Sequence, residues 1–182
     1  MKTGQVFQEL IVNRELKVVL RTPRWEDLDD LLELVNSLVD EGAEIYRDER
    51  VSRDEEIGWL LGVLARLERD KIFFLVAEVD GRIIASSDIN LQRRYEKHVG
   101  VIGIVVKQGF RDLGIGTAMV RVLLKQARKT GLKVLTLSAF ASNKRAIHVY
   151  GKVGFVQTGL IPKKHLMKGK YIDEVIMTKL LD

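Results

Sequence analysis

The sequence predicts a single α/β domain, residues 1–182, with a mixed central sheet of about six to seven strands flanked by about four helices. Its length of 182 residues is that of one domain. Apolar runs of strand length alternate with longer segments whose apolar residues recur at helical spacing. The resulting order, β-α-α-β-β-β-α-β-α-β-β, is typical of an α/β domain with a mixed sheet.

The N-terminal part of the chain predicts one strand and one amphipathic helix. Residues 1–15 form an extension, which adds either an extra strand or an arm. Lys17–Arg21 has the apolar character of a short strand. Thr22 and Pro23 resemble a helix cap and a first-turn proline, and apolar residues then recur at helical spacing from Trp25 to Leu38.

A charged loop and a second helix follow. Asp40 to Arg50 is highly charged and contains a glycine, which is typical of a loop. Ser52 and Glu55 have the spacing of a capping box. A helix is therefore expected to begin there and to run to about Arg69.

Three strands are expected next. Ile72–Val79 is an apolar run, Asp80-Gly81 is a hairpin turn signal, and Arg82–Leu91 predicts the returning strand. Arg93–Lys97 is typical of a polar turn. The apolar run Val99–Val106 then predicts a buried strand.

The last third predicts two helices and three strands. One helix is expected from Gly114 to about Thr130, with Gly131 as its C-cap. Asn143 is expected to cap a short helix that ends at Lys152. The remaining strands are expected at Lys133–Ala139, near Phe155–Ile161 and at Tyr171–Leu180.

Composition excludes several classes of protein. Hydrophobic residues make up 46% and charged residues 30%, which favours a packed core over disorder. The absence of cysteine excludes disulfides, thiolate metal sites and cysteine nucleophiles. No apolar run reaches the roughly 18 residues that span a membrane. The N-terminal segment also lacks the apolar region of a signal peptide, so we expect a cytoplasmic protein with no membrane partner.

Charge is strongly segregated along the chain. Between Glu26 and Glu56 there are thirteen acidic and three basic residues, whereas from Leu91 onward there are eighteen Lys and Arg and five acids. A basic half favours a polyanionic ligand, of which nucleic acid is one candidate. Because no nucleic-acid motif and no interleaved aromatic residues accompany the basic residues, we expect no nucleic-acid partner. The histidines lack metal-ligand spacing, so no metal is expected; they are His98, His148 and His165.

The segment after Val99–Val106 is the most informative one. Arg111-x-x-Gly114-x-Gly116 leads directly into a long amphipathic helix. The glycines allow close approach of the backbone, and the N–H groups and dipole at the helix start favour an anion. Lys107 and Arg111 would add ion pairs. The loop therefore suits a phosphate or diphosphate, with a ligand-free turn as the alternative.

Two common phosphate-binding loops do not fit this segment. A Walker A loop needs Gly-Lys-Ser/Thr after Gly109-x4-Gly114, where Ile115 and Gly116 stand. A dinucleotide fingerprint needs a small residue in place of Met119 and an acid about twenty residues further on, near Thr136.

The chain here resembles the GNAT superfamily of acetyl-CoA-dependent N-acetyltransferases. Arg111–Thr117, with the strand before it, looks like that family's acetyl-CoA loop. Asn143–Phe155 is similar to its second motif, with an Asn, an Ala three positions on, a Tyr and a Gly-Phe pair. Gly169–Met177 and Leu20-Arg21-Thr22 also match, so the resemblance covers residues 16 to 181.

The resemblance implies a GNAT-like fold and acetyl-CoA as cosubstrate. In this family the pantetheine arm runs beside the fourth strand, where a splay between two parallel strands admits it. The cofactor-binding residues implied are Ile104, Val105, Val106, Arg111, Asp112, Leu113, Gly114, Ile115, Gly116, Thr117, Asn143 and Tyr150.

The reaction implied is direct attack of a primary amine on the acetyl thioester. A lysine-like amine has a pKa near 10.4, so removing its proton at about pH 7.4 costs about 4 kcal/mol and a base is useful. Tyr150 holds the family's position for the general acid. A backbone N–H near Val105 or Val106 would donate to the oxyanion.

The general base is less well defined by the sequence. Ser138 stands where ribosomal-protein alanine acetyltransferases carry a Glu. Glu96 and His98, before the fourth strand, remain as the catalytic candidates. An acetyl-CoA-binding sensor with this fold and no catalysis is therefore the alternative function.

The acceptor side of the family's site includes the loop between the first two helices. Acidic residues there suggest a mouth for a cationic amine, namely a polyamine, a lysine side chain or a protein N-terminus. A solvated connection is the alternative, and a homodimer is compatible with the sequence. The acidic residues are Asp40, Glu41, Glu44, Asp48 and Glu49.

Overall fold

The computed structural model describes residues 1–181 as one eight-stranded sheet with four α-helices. The strands are β1 (Val6–Val12), β2 (Leu16–Arg21), β3 (Ile72–Val79), β4 (Arg82–Leu91), β5 (Val99–Val106), β6 (Val134–Phe140), β7 (Val156–Met167) and β8 (Lys170–Leu180). The helices are α1 (Leu28–Asp40), α2 (Arg53–Glu68), α3 (Ile115–Lys129) and α4 (Lys144–Lys152).

The sheet is mixed, as predicted, in the order β1-β2-β3-β4-β5-β6-β8-β7. β5 and β6 are parallel, and the other neighbours are antiparallel. Eight strands exceed the predicted six to seven because the N-terminal extension contributes β1, which pairs with β2. Of the two alternatives for residues 1–15, the structure shows the strand.

The sheet separates two apolar cores. One core, beside α3, contains Leu75 and Leu123; the other, beneath α1 and α2, contains Phe74 and Leu60. β3 contributes to both, so its sequence is a nearly continuous apolar run rather than an alternating one. No described helix combines the length and the apolar character needed to cross a membrane.

The predicted caps of α2 and α4 are confirmed. The Ser52 N–H donates to Glu55 Oε2 at 2.8 Å, and the Glu55 N–H donates to Ser52 Oγ at 3.3 Å. At the start of α4, the Ala146 N–H donates to Asn143 Oδ1 at 3.0 Å. These bonds satisfy N–H groups that have no partner inside the helix.

The predicted start of α1 is wrong. A short 3₁₀ turn, Trp25–Asp27, precedes α1, and Thr22 does not cap it. The Thr22 hydroxyl instead accepts from the Gln5 N–H at 2.8 Å and donates to the Lys2 carbonyl at 2.7 Å. Thr22 therefore fixes the N-terminal segment, because its hydrogen bonds are used there.

The last hairpin is longer than predicted. β7 continues to Met167, beyond the expected end at Ile161, and turns through Lys168 and Gly169 with φ of 49° and 75°. Two positive φ values suit the tight turn of a hairpin. The β7–β8 pairing contains two register shifts, which let the longer strand follow β8 to its end.

β5 and β6 diverge along most of their length. Their pairing consists of Val99 with Val134, Gly100 with Leu135 and Val101 with Thr136. Beyond Val101, β5 remains paired with β4, and β6 with β8. The splay that the resemblance implied is therefore present, and it begins in the middle of the sheet.

A buried ion pair joins the start of α1 to the sheet. The Arg21 guanidinium donates to both carboxylate oxygens of Asp27 at 2.7 Å, and its Nε donates to Glu78 Oε2 at 2.7 Å. The side chains of Arg21 and Asp27 are each only 4% exposed. Because Asp27 also accepts from the Arg24 N–H at 2.9 Å, it fixes the point at which the chain leaves β2 for α1.

We expect Asp27→Ala to lower the free energy of unfolding by about 3 kcal/mol, because it leaves one side of a buried guanidinium without a counter-charge. Urea denaturation measures the change. The control is Asp29→Ala, which removes an exposed ion pair with Arg53 and should cost less than about 1 kcal/mol. Equal losses in the two variants would contradict the role given to Asp27.

Candidate active site

A cleft of about 660 Å³ opens beside the loop that follows β5, and we call it the loop cleft. The start of α3, one side of α4 and the α1–α2 loop form its other walls. Most of the predicted cofactor-binding residues line it. They are Ile104, Val105, Val106, Arg111, Asp112, Gly114, Gly116, Thr117 and Asn143.

Leu113 and Ile115 belong to the predicted set but are not among the residues that line this cleft. Ile115 is 1% exposed and lies in the core beside α3, and Leu113 packs against the same core. Their apolar side chains anchor the turn from beneath. Only their backbone groups remain available to a ligand.

The turn into α3 has an unusual backbone. Gly109, Asp112 and Gly114 have φ of 88°, 63° and 80°. Gly114 is the N-cap of α3 and provides no side-chain cap. The N–H groups of the first turn have no intrahelical partner, and no acidic residue neutralises them. This end of α3 is therefore suited to an anion held by backbone amides.

The backbone of β5 presents alternate residues to the gap between β5 and β6. The Lys107 N–H donates to the Ile84 carbonyl of the β4 side at 2.9 Å. By the alternation of an antiparallel ladder, Val105 also turns its backbone groups toward β4. Ile104 and Val106 therefore direct their backbone groups into the gap. Of the two predicted oxyanion donors, the Val106 N–H faces the gap and the Val105 N–H faces β4.

The two cations expected to bind phosphate are paired with carboxylates. The Arg111 Nε donates to the Val106 carbonyl at 2.8 Å, and its guanidinium pairs with Glu41. Lys107 Nζ lies 2.5 Å from Glu33 Oε1 and is not among the residues that line the loop cleft. Arg111 therefore stands at the edge of the cleft, and Lys107 is directed away from it.

A second cleft of about 450 Å³ lies where β5 and β6 diverge, and we call it the splay cleft. It shares Glu44, Ile104, Val105 and Asn143 with the loop cleft, so the two form one passage. Its polar lining residues are Glu44, Tyr46, Asp88, Asn90, Thr136, Ser138, Asn143 and Tyr150.

Tyr150 reaches the splay cleft from α4. It is 4% exposed, and its ring packs edge-on against Phe155 with centroids 5.7 Å apart. Burial raises the pKa of the Tyr150 hydroxyl well above its usual value, and the nearby Asp88 and Tyr46 raise it further. The hydroxyl is therefore protonated at neutral pH and is suited to donate a proton.

The α1–α2 loop is fixed to β8 through Tyr46. The Tyr46 hydroxyl donates to Glu174 Oε2 at 3.0 Å, and its ring stacks on Phe140 at 5.0 Å. Burial alone would raise the pKa of Glu174. Hydrogen bonds from Lys164, His165 and Tyr46 outweigh burial and lower the pKa, so the carboxylate is ionised and holds this wall of the splay cleft in place.

Asp88 reaches the splay cleft from β4, directly opposite Gly103 of β5. The Asn90 amide donates to Asp88 Oδ2, and Arg66 Nη2 donates to Asn90 Oδ1 at 2.6 Å. Burial raises the pKa of the Asp88 carboxyl to about 7, with Arg66 acting in the opposite direction. This cleft therefore contains a carboxyl group that titrates near neutral pH.

Glu96 and His98 lie far from both clefts. Both are exposed, and neither lines a cleft. His98 precedes Ile104 by six residues, or roughly 20 Å along an extended strand. It lies at the end of β5 that remains paired with β6. Neither residue is therefore among the groups that the two clefts bring together, and their role as general base stays a prediction from the sequence.

Asp88, Asn90 and Tyr46 line the splay cleft and are not among the residues predicted from the sequence. Asp88 and Asn90 lie in a strand that alternates polar and apolar residues, and polar residues in such a strand are usually solvated. The one sequence signal for Asp88 is Gly103 in the next strand. Because glycine has no side chain, an aspartate paired with it has room above the sheet. Tyr46 stands in a charged loop, and nothing in its local sequence indicates its contact with Glu174.

A sequence profile decides the family. The Acetyltransferase (GNAT) family profile matches residues 29–155, which is well over half of the chain. The chain belongs to the GNAT acetyltransferase family. This family match confirms the resemblance read from the motifs, and the chain is an acyltransferase.

Two Escherichia coli proteins are among the relatives of this acetyltransferase. L-amino acid N-acetyltransferase AaaT is 32% identical over 115 residues, covering 62% of this chain and 70% of that protein. L-amino acid N-acyltransferase MnaT is 25% identical over 166 residues, covering 90% of this chain and 94% of that protein.

Solved structures of other acetyltransferases share the fold. The ribosomal-protein-alanine N-acetyltransferase of Brucella melitensis has a TM-score of 0.79 and 26% identity, with 89% of this chain and 99% of that chain covered. The yncA acetyltransferase of Salmonella typhimurium, determined with acetyl-CoA, has a TM-score of 0.79 and 22% identity, with 91% and 94% covered. The latter likeness shows the fold alone.

We expect Gly114→Ala to weaken acetyl-CoA binding about tenfold or more, because a side chain at φ of 80° distorts the turn that presents the α3 amides. Isothermal titration calorimetry measures the affinity. Gly131→Ala is a matched control, since Gly131 ends the same helix at φ of 78° and neither glycine has an atom within 4 Å of an added Cβ. Equal effects of the two variants on acetyl-CoA affinity would contradict this assignment.

Proposed function

We propose that this acetyltransferase transfers the acetyl group of acetyl-CoA to a primary amine by direct attack. The observation that carries the proposal is the single passage made by the loop cleft and the splay cleft at the point where β5 and β6 separate. One end of this passage suits an anion, and the other contains groups that hold and donate protons.

The residues of the loop cleft fit coenzyme A. The α3 amides around Gly114 and Gly116 would hold its diphosphate, and Asn143 lies beside the path of the arm. A Cβ on Gly116 would meet Ile104 at 3.4 Å, an ordinary contact, so packing within the protein does not require glycine there. The absence of a side chain at Gly116 instead leaves room for a ligand on the side that faces the loop cleft.

The gap between β5 and β6 fits an extended arm. Ile104 and Val106 direct their backbone groups into it, as an edge strand does toward a partner. An arm that carries amides would satisfy the Ile104 groups and the Val106 N–H in place of β6, while the Val106 carbonyl already accepts from Arg111 Nε. The Val106 or Ile104 N–H is then the donor for the oxygen of the acetyl group.

Bound acetyl-CoA supplies an acetyl group activated as a thioester. In the transfer, the neutral amine nitrogen bonds to the acetyl carbon and loses a proton to water, the carbon–sulfur bond breaks, and the sulfur takes a proton. Tyr150 is the residue that we assign to supply this proton. Its buried hydroxyl is protonated at neutral pH and lines the cleft in which the bond would break.

The splay cleft favours an amine without a neighbouring carboxylate. Its lining residues include Glu44 and Asp88 and contain no Lys, Arg or His. AaaT and MnaT are described as acting on L-amino acids, whose carboxylate would need a cation. A polyamine, a lysine side chain or a protein N-terminus therefore fits this cleft better, because each is cationic where it enters.

The substrate class is tested by acetyl-CoA turnover across polyamines, peptides and amino acids. Lysine and lysine amide form a matched pair that differs in the carboxylate. We expect the amide to be the better acceptor, with a higher kcat/KM measured by thiol release. A preference for free amino acids would contradict the acceptor class while leaving the acetyl transfer intact.

We expect Tyr150→Phe to lower kcat about a hundredfold, because general acid catalysis contributes on that order. The Kd for acetyl-CoA should stay within about twofold, since the ring and its packing against Phe155 are kept. Thiol release measures kcat and calorimetry measures Kd. Tyr171→Phe, at a tyrosine that is 66% exposed, is the control and should match the wild type. An unchanged kcat in Tyr150→Phe would remove the assigned role.

We expect Glu44→Lys to raise KM for a cationic amine about tenfold, because it places a like charge where the two clefts meet. The Kd for acetyl-CoA should change little. The control is Glu15→Lys, an equal charge change at an exposed residue between β1 and β2. Unchanged acceptor kinetics in Glu44→Lys would argue against an acidic acceptor mouth.

A further inference from the structure

Asp88 is held at the point where the sheet opens. Its partner across the β4–β5 ladder is Gly103, two residues beyond Val101, where the pairing of β5 with β6 ends. Asp88 Oδ1 lies 3.1 Å from the position that a Cβ on Gly103 would take. The glycine thus gives this oxygen a place above the sheet, facing the splay cleft.

The two oxygens of Asp88 have different surroundings. Oδ2 accepts from the side-chain NH₂ group of Asn90, and Asn90 Oδ1 in turn accepts from Arg66 Nη2 at 2.6 Å. This chain fixes the orientation of the Asn90 amide, since its NH₂ group must face the carboxylate. Oδ1 lies on the side of Gly103, and Asp88 is among the residues that line the splay cleft.

We propose that Asp88 is the general base that takes the proton from the acceptor ammonium. The proposal rests on the proposed acetyl transfer and adds the residue that the sequence did not identify. An N–H bond of the ammonium breaks, its proton passes to Asp88 Oδ1, and the freed electron pair forms the bond to the acetyl carbon. As the carbon–sulfur bond breaks, Tyr150 gives its proton to the departing sulfur, and the nitrogen releases its second proton to water, which leaves the neutral amide. Asp88 then loses its proton to water, and the Tyr150 oxygen takes one back.

Asp88 and Tyr150 approach the opening from different elements, one from β4 and one from α4. A base and an acid on opposite sides of the reacting bond can act in the same transfer without competing for one proton. Glu174 is less suited, because it is 2% exposed and accepts hydrogen bonds from three side chains.

The electrostatic setting suits this role. A carboxyl with a pKa of about 7 is a much better match to an ammonium of pKa near 10.4 than one at the usual 3.9. The raised pKa comes first from burial, which Arg66 on α2 partly offsets. The other ionisable groups that face this carboxyl across the cleft are Tyr150 on α4 and Glu44 and Tyr46 on the α1–α2 loop.

The decisive experiment is the pH dependence of kcat for N-α-acetyl-lysine amide. In the wild type, kcat should fall about tenfold per pH unit below an inflection near pH 7, because protonated Asp88 cannot accept a proton, and it should be level above pH 8. In Asp88→Asn, this inflection should be lost. Since only the neutral amine then reacts, kcat should be at least a hundredfold lower at pH 7.5 and should keep rising toward pH 10.

A matched control is available on the same hairpin. Asp80→Asn makes the same chemical change in the β3–β4 turn and should retain the wild-type profile. Asparagine has the shape of the aspartate, and burial already disfavours the charge, so Asp88→Asn should fold; thermal denaturation and acetyl-CoA affinity check this. Loss of activity at all pH values with an unchanged inflection would indicate a structural role and overturn the proposal.

The basicity of the acceptor gives a second readout. Glycinamide has an α-amine with a pKa of about 8, so much more of it is neutral at pH 7.5. The loss in kcat caused by Asp88→Asn should be at least tenfold smaller for glycinamide than for the lysine amine. Equal losses would overturn the proposal. If the wild type releases no thiol from acetyl-CoA with any amine, the proposed function itself fails.

Arg66 provides a test of whether Asp88 is the group that titrates. Because its charge lowers the pKa of Asp88, Arg66→Gln should move the inflection to higher pH. An inflection that moves to lower pH, or does not move, would show that the titrating group is not Asp88.

Discussion

The separation of β5 from β6 is the constraint on which the rest of the site depends. A strand pair that remained closed along its length would satisfy the backbone groups of Ile104 and Val106 and leave no room between the sheet and α4. Here the parallel pairing stops after Val101 and Thr136, while each strand keeps its other neighbour. The sheet therefore stays continuous at one end and opens at the other. This opening joins the cleft at the start of α3 to the cleft that contains Tyr150 and Asp88.

Much of the fold follows from local signals in the sequence. β3, β4 and β5 have the predicted bounds. The Asp80-Gly81 turn, with φ of 49° and 76°, joins β3 to β4 and fixes the register between them. The capping residues of α2 and α4 could also be predicted, because each bonds within its own helix. The start of α1 could not be predicted, since Thr22 bonds to residues near the N-terminus rather than to the next turn. The extra length of β7 depends on its pairing with β8, which its own composition does not indicate.

The features of the site that the sequence predicts are those that depend on backbone conformation. Gly114 is needed where φ is 80°, and Asn143 is needed as a cap, so both constraints are visible in the residue types themselves. Asp88 and Asn90 contribute side chains instead. Their function depends on which face of β4 is covered and on what stands opposite, and an alternating strand contains neither kind of information. Glu96 and His98, the candidates for the general base in the sequence prediction, both precede β5 and lie at the end where β5 stays paired with β6.

Acidic and basic segments that are separate in the sequence form ion pairs in the folded protein. The acidic α1–α2 segment and the basic loop after β5 are distant in sequence, yet Glu41 pairs with Arg111 at the edge of the loop cleft, and Glu33 pairs with Lys107 outside it. These pairs reduce the positive charge that an incoming phosphate would meet, so the amides of α3 must supply most of the attraction. They also hold the loop that carries Glu44 and Tyr46 against the cofactor side. The Arg111–Glu41 pair thereby joins the loop after β5 to the start of the α1–α2 loop, whose Glu44 lines both clefts.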